Sequence, residues 1–237
     1  MVKVGRPPQD PARQLERAHR ILDAAAELIE RWGYDKTTID DVARRAGVAK
    51  GTIYLHWKTR DELFAALLRR ERAHMLEEVR ERAPATLRDL VGELAAELVR
   101  RPLMQAVLLG DSEVLGKLTR RKRRGESGLD LGAAFEEYLG ELRELGAVRA
   151  DRTPPEQFAV LGAVIYGFLH TRDIMPEAMR TPDDRLVELI AETAGLALGT
   201  GTTPSGPASR AIGRATAGYL DTMVEIARHK LATSLGS

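Results

Sequence analysis

The residues best suited to binding another molecule lie between positions 38 and 57, in the run TIDDVARRAGVAKGTIYLHW. Its apolar residues recur at helical spacing on either side of Gly47, which predicts two short helices joined by a tight turn. With the apolar residues facing inward, the outward side chains are Arg44, Arg45, Lys50, Thr52, Tyr54, His56 and Lys58. A basic, hydrogen-bonding helix face of this kind fits the major groove of DNA and the phosphates beside it. Gly51 would let the backbone approach DNA closely.

Two Glu-x-x-His pairs, Glu16 with His19 and Glu71 with His74, offer a second chemistry. A di-iron helical bundle uses two such pairs and two further acids. One pair falls among arginines on the first predicted helix, so chance spacing is the favoured interpretation and a helical-bundle metalloenzyme is the alternative. The sequence has no cysteine, no phosphate-binding glycine loop and no Ser/His/Asp setting for a nucleophile. We expect no catalytic residues, no metal and no cofactor.

The elements that must position these residues are predicted to be helices. Only 5% of the 237 residues are aromatic, and no segment shows the alternating pattern of a strand. Short helices are expected from Thr38 to Gly47 and at about 50–57, and longer ones at about 13–32, 59–81, 85–100, 103–123, 129–146, 154–175 and 183–198. Thr38 with Asp41 and Thr59 with Glu62 have the spacing of helix-capping pairs. The predicted class is all-α, with an N-terminal three-helix helix-turn-helix domain and a larger C-terminal helical domain.

The chain divides by composition and charge. We predict a flexible basic arm over about 1–12, the DNA-binding domain over 13–60, a helical domain over 61–198, a linker over 199–207 and a final helix over 208–237. Residues 1–70 have a net charge of +4 and the rest of the chain a net charge of −3. This asymmetry indicates a polyanionic partner at the N-terminal end. Without an apolar run long enough to cross a bilayer, or a signal-peptide h-region, the expected location is the cytoplasm.

Residues from about Ile21 to Leu67 resemble the DNA-binding domain of the tetracycline-repressor (TetR) family. The resemblance rests on Ile21-Leu-x-Ala-Ala, Gly33-Tyr34, Thr38-Ile39-x-x-Val42-Ala43, Ala46-Gly47-Val48, Lys50-Gly51-Thr52-Ile53-Tyr54, His56-Trp57 and Arg60-x-x-Leu63-Phe64. It implies that Lys50, Thr52 and Tyr54 lie on a recognition helix, and that Thr38, Tyr54, His56 and Arg60 touch phosphate. Ala49 departs from the usual Ser or Thr, and Arg60 from the usual Lys. The predicted DNA-binding residues are Thr38, Arg45, Ala49, Lys50, Gly51, Thr52, Tyr54, His56 and Arg60.

The resemblance also implies a homodimer on a palindromic operator, repression by occupancy, and release by a small effector bound in the helical domain. The predicted dimer interface comprises Phe158, Leu161, Ile165, Phe168, Leu169, Leu186, Leu189, Ile190, Thr193 and Leu196. The predicted effector-binding residues are His74, Met75, Met104, Leu108, Phe135, Tyr138, Tyr166 and His170, which favour a hydrophobic or aromatic ligand. Both sets could instead fill the core of one subunit. A regulator that answers to a protein partner, or to no ligand, is the other alternative.

Each of two further basic segments has two possible interpretations. Gly5-Arg6-Pro7 could enter an A·T-rich minor groove, or belong to a disordered tail. The run Lys117, Arg120, Arg121, Lys122, Arg123 and Arg124 could be a second nucleic-acid contact, although a solvated helix end before Gly125 is favoured because Lys and Arg suit helix C-termini.

Overall fold

The described residues form helices joined by short loops. A computed structural model describes residues 10–110, 127–202 and 204–235. Numbered in chain order, the helices are α1 (Pro11–Trp32), α2 (Ile39–Ala46), α3 (Lys50–His56), α4 (Arg60–Glu81), α5 (Leu87–Arg100), α6 (Pro102–Leu109), α7 (Ser127–Glu144), α8 (Pro154–Ile174), α9 (Asp183–Leu198) and α10 (Gly206–Leu235). A short 3-10 turn spans Glu177–Met179, and the pairing Val148↔Gly199 is an isolated bridge. The predicted all-α class is confirmed.

Local sequence signals account for several helix ends. The Thr38 hydroxyl accepts from the backbone N–H of Asp41 at 3.2 Å, and the Asp41 carboxylate accepts from the backbone N–H of Thr38 at 3.3 Å, which completes the predicted capping box. At α4 the Thr59 hydroxyl accepts from the Glu62 N–H at 3.1 Å, whereas the Glu62 carboxylate takes the N–H of Lys58 instead of Thr59. This second cap is therefore only half of the predicted box.

Some boundaries differ from those predicted. The last helix begins at Gly206, inside the predicted linker. The predicted helix over 103–123 ends at Leu109, where Gly110 adopts a left-handed conformation with φ of 69°. The arm with Gly5-Arg6-Pro7 and the basic run from Lys117 to Arg124 lie outside the described residues.

Buried apolar residues form two main clusters. The head cluster joins α1, α2 and α3 to the first half of α4 and to α6. The body cluster joins α5, α7, α8 and α9 to the end of α4 and the start of α10. A smaller seam of Ala73, Leu76, Met223, Val224 and Ala227 lies between α4 and α10. Because α4 contributes to all three, it connects the two halves of the molecule.

Arginines tie α4 to its neighbours. Arg70 is 4% exposed and donates to the Asp23 carboxylate at 2.7 Å and to the His19 carbonyl oxygen at 3.2 Å, both on α1. In the body, the fully buried Glu97 of α5 accepts from Arg100 at 2.6 Å, from Arg101 at 2.7 Å and from Arg82 at 2.8 Å. Within the described residues, no helix is long and apolar enough to span a membrane.

Candidate DNA-binding surface

The turn between α2 and α3 requires its glycine. Gly47 has φ of 66° and ψ of 36°, the left-handed region that residues with a Cβ rarely adopt. In that conformation the Gly47 N–H bonds to the Arg44 carbonyl oxygen at 3.3 Å, and the Val48 N–H bonds to that of Ala43 at 3.0 Å. The chain then leaves α2 directly into α3, with Ala49 as an N-cap that makes no side-chain hydrogen bond. Because Ala49 stands where Ser or Thr is usual in the family pattern, α3 begins without a hydroxyl cap.

One side of α3 is buried and the other faces solvent. Ile53 is fully buried and Trp57, just after the helix, is 3% exposed, so the two anchor α3 on the head cluster. The opposite side is accessible: Lys50, Gly51, Tyr54, Leu55 and Lys58 are exposed, and Thr52 and His56 are half-buried. The predicted outward face is therefore present.

Leu55 also belongs to this surface, although it is not among the predicted DNA-binding residues. Its side chain is 60% exposed, among the largest exposures of an apolar residue in the described chain. The signal was its register: Leu55 lies between the inward residues Ile53 and Trp57, so it must point away from them on a helix.

Carboxylates of the same domain neutralise three basic residues of the motif. Lys50 Nζ lies 2.8 Å from the Asp40 carboxylate, Arg44 lies 3.0 Å from that of Asp41, and Arg45 is paired with Glu27. The hydrogen bond to Asp40 raises the pKa of Lys50. A polyanion that binds here must therefore compete with these internal partners.

Two of the residues predicted to contact phosphate, Arg60 and Thr38, make side-chain interactions within the domain itself. Arg60 is half-buried, its guanidinium lies 4.2 Å from the centre of the Tyr34 ring, and it donates to the Thr37 carbonyl oxygen at 3.2 Å. Thr38 remains exposed, although its hydroxyl caps α2. Burial, and then the charge of Arg17, lower the pKa of His56, so its ring is neutral near physiological pH.

The predicted effector residues do not converge on one place. Phe135 and Tyr138 are buried together on α7 with ring centres 6.2 Å apart, while Met104 is buried in the head cluster. The others are half-buried or exposed: Met75 is half-buried, and His74, Leu108, Tyr166 and His170 are exposed. Tyr166 and His170 stack on each other on α8, with ring centres 5.5 Å apart.

A residue absent from the predicted set completes the aromatic group. Tyr219 of α10 stacks on Tyr138 at 4.7 Å and meets Phe135 edge-on at 5.8 Å. The Tyr138 hydroxyl is hydrogen-bonded to that of Thr216, also on α10, at 2.9 Å. Burial raises the pKa of Tyr138, which keeps this hydroxyl neutral. We call Phe135, Tyr138, Thr216 and Tyr219 the aromatic cluster.

The predicted dimer residues divide between core and surface. Leu161, Leu169, Leu186 and Ile190 are buried within the body cluster, so they stabilise a single subunit. Ile165, Phe168, Leu189 and Thr193 are half-buried. Phe158 and Leu196 are 57% and 82% exposed. Together with Tyr166, these two define the exposed apolar face of α8 and α9.

The Glu-x-x-His pairs have other partners. Glu71 lies 3.1 Å from Arg70 and 3.4 Å from Arg101, so its carboxylate is already neutralised by two cations. Burial, and then the charge of Arg70, lower the pKa of His19, and the charge of His74 lowers it by a smaller amount. In the part of the chain that the structure describes, no three acidic, histidine or cysteine side chains group as a metal site.

The segment that carries this surface is similar in sequence to known regulatory proteins. Residues 21–67 match the family model of bacterial regulatory proteins, tetR family. The fatty acid metabolism regulator protein of Bacillus subtilis is 36% identical over 62 residues, which are 26% of this chain and 32% of that protein. The match therefore spans about a third of that relative. An HTH-type transcriptional repressor of Mycobacterium tuberculosis is 28% identical over 157 residues, 65% of this chain and 80% of the repressor.

The fold as a whole is similar to that of solved regulators. SmeT, the repressor of the Stenotrophomonas maltophilia multidrug efflux pump SmeDEF, aligns at 25% identity and a TM-score of 0.52 over 79% of this chain and 96% of its own. Its triclosan complex aligns at 24% identity and a TM-score of 0.59, over 81% and 98%. Residues 21–67 therefore match the helix-turn-helix of the bacterial regulatory proteins, tetR family, and the helices that follow have a fold similar to that of these solved regulators.

Proposed function

We propose that this protein is a transcriptional regulator that binds operator DNA through α2 and α3. The proposal rests on the solvent-facing side of α3, where Lys50, Gly51 and Tyr54 are exposed. On the other side, Ile53 and Trp57 fix the helix to the head cluster. An anchored helix with a polar, cationic outer face is the arrangement that reads the major groove. The similar M. tuberculosis protein is named a repressor, and we propose repression by occupancy here.

The test is binding of the purified protein to duplex fragments from around its own gene, followed by fluorescence anisotropy at several salt concentrations. We expect sequence-selective binding whose affinity falls as salt rises, because neutralised phosphates release counterions. Binding that is equally weak for every sequence would contradict the proposal.

Because Asp40 competes with DNA for Lys50, removing its negative charge should increase the affinity for DNA. Asp40→Asn should tighten DNA binding about two- to fivefold, because Lys50 would no longer have to give up a carboxylate partner before it binds DNA. Both side chains are about half exposed, at 49% and 60%, so the fold should tolerate the change. Titrations of operator and unrelated DNA would measure it, with Glu136→Gln on α7 as the control for net charge. Unchanged or weaker affinity would show that Asp40 does not compete with DNA.

We propose that the exposed apolar face of α8 and α9 pairs with its copy in a homodimer. Leu196 and Phe158 are large apolar side chains that water would otherwise surround, and two-fold symmetry suits a palindromic operator.

Leu196→Glu should therefore shift the protein toward monomer, since a carboxylate at the interface loses its hydration without a partner. Sedimentation velocity over a concentration series would show the change. Leu15→Glu, at a leucine of α1 that is 42% exposed, should leave the association unchanged. A dimer that survives Leu196→Glu at wild-type strength would place the interface elsewhere.

We further propose that the effector is a small apolar or aromatic molecule that binds beside the aromatic cluster. Three aromatic rings and one buried hydroxyl pair offer mostly apolar contact with few polar anchors, as in ordinary ligand sites. A thermal-shift screen should find apolar ligands that raise the melting temperature and also weaken operator binding. If only highly charged ligands stabilise the protein, this proposal fails.

A further inference from the structure

The C-terminal helix ends on the recognition helix. Trp57, the C-cap of α3, donates its indole N–H to the Ser234 carbonyl oxygen at 2.9 Å, in the last turn of α10. Arg69 of α4 donates to the Ser234 hydroxyl, and Leu235 packs against the head cluster. The two partners are 177 positions apart in the sequence, so this contact joins the end of the described chain to the helix that faces DNA.

The path of α10 along α4 fixes where that last turn lies. The two helices run antiparallel, since successive residues of α4 meet residues of α10 in descending order, from Ser234 to Asp221. Their contact is the most extensive between any two helices of the described residues. The apolar seam lies between them, flanked by the ion pair of Arg228 with Glu77 at 2.6 Å and by that of Arg80 with Asp221. Ion pairs and apolar contacts along this length hold α10 in one register.

The same helix reaches the aromatic cluster. Thr216 and Tyr219 belong to α10, and no break separates them from Ser234. At 1.5 Å per residue, the 15 residues from Tyr219 to Ser234 span about 22 Å. One rigid element therefore touches the proposed effector site with one part and Trp57 with its end.

A helix as short as α3 depends on such external contacts for its orientation. It spans only seven residues, and isolated helices of that length are unstable in water. Its buried anchors are Ile53 and, directly after it, Trp57. Of these two, Trp57 is the one that α10 holds by a directed hydrogen bond.

We propose that the last turn of α10 positions the recognition helix through Trp57, and that α10 links that position to the aromatic cluster. The link rests on the proposed function. A ligand that displaces Tyr219 would move the far end of the same helix, and with it the support of α3. Ser234 and Trp57 are therefore positioning residues that touch no DNA themselves.

The test compares two matched tryptophan substitutions. Trp57→Phe keeps an aromatic ring but removes the N–H that Ser234 accepts, while Trp32→Phe makes the same change at the 40%-exposed tryptophan that ends α1. We expect Trp57→Phe to reduce the ratio of operator to unrelated-DNA affinity about two- to tenfold, as for the loss of one partly buried hydrogen bond. Trp32→Phe should leave the ratio unchanged. The salt dependence should stay as in wild type, because no phosphate contact is lost.

Hydrogen exchange supplies a readout that needs no DNA. In Trp57→Phe the amides of α3 should exchange faster while those of α9 are unchanged. Leu231→Pro, which breaks the last turns of α10 and leaves Trp57 intact, should have the same effect on α3. Wild-type exchange in α3 in both variants, or faster exchange with undiminished selectivity, would overturn the positioning role. Failure of the proposed function is a different result, namely a wild-type protein that selects no DNA sequence.

Discussion

Replacing Glu97 with alanine should lower the free energy of unfolding by about 1.5–3 kcal/mol, the usual contribution of hydrogen bonds to a charged group, because its arginine partners are partly exposed and water can solvate them once Glu97 is gone. Glu97 is fully buried and binds Arg82, Arg100 and Arg101 at once. Arg101 in turn bonds Glu78 of α4 at 2.6 Å, so the loss would also loosen α5 from α4. Urea denaturation near neutral pH would measure the change.

Glu93→Ala is the matched control for this prediction. Glu93 lies one turn earlier on α5 and, among the described residues, pairs with Arg82 alone, at 3.2 Å. Its side chain is 34% exposed, so its removal should cost at most about 1 kcal/mol. Equal losses for the two variants would show that burial of Glu97 adds nothing to its contribution.

The Glu97 contribution should also depend on pH. Burial alone would raise the pKa of Glu97, but hydrogen bonds from Arg100, Arg101 and Arg82 outweigh it and lower the pKa to about 2. A depressed folded-state pKa stabilises the protein above the unfolded-state pKa, and the stabilisation is lost as the pH falls toward 2. Glu97→Ala should therefore flatten the acid limb of the stability profile.

Lys50→Ala and Tyr54→Ala should each weaken operator binding about tenfold or more, the usual range for a side chain at a DNA interface. Both residues are exposed on α3 and neither belongs to the head cluster, so the fold should be unaffected. If Lys50 contacts a phosphate, its loss should lower affinity for all sequences and reduce the salt slope by about one. If it contacts a base edge, selectivity should fall instead.

Anisotropy titrations on the operator and on unrelated DNA separate these cases. Arg214→Ala, at an exposed arginine on α10, removes the same charge far from α3 and should change neither affinity. Wild-type binding by both α3 variants would contradict the assignment of this surface.

Local signals allowed the head to be predicted well from the sequence. The capping box of Thr38 and Asp41 and the left-handed Gly47 depend on a few adjacent residues, and both are present. The exposure of α3 follows from helical periodicity, which also locates Leu55. What periodicity could not reveal were partners distant in the sequence. The pairing of Lys50 with Asp40 and the contacts of Arg60 with Tyr34 and Thr37 depend on tertiary structure.

The body was harder to predict because every helix there has a wide apolar stripe. Periodicity shows that Leu161 and Phe158 lie on the apolar side of α8, but not that the first is buried in its own subunit and the second exposed. Tyr219 was not predicted as part of the aromatic cluster because it lies 81 residues beyond Tyr138. The sequence predicted its helix but did not indicate which other helices that helix packs against.

The composition of the head cluster limits how this protein can be dissected. Its fully buried members include Leu63, Phe64 and Leu67 of α4, and Leu103 of α6 packs with them at 3% exposure. A fragment cut at residue 60 would lose this side of its own core and expose remaining apolar residues of the head cluster to water. The segment that faces DNA is therefore not a transplantable module. New binding preferences are better sought by substitutions at the surface of α3, within the intact chain.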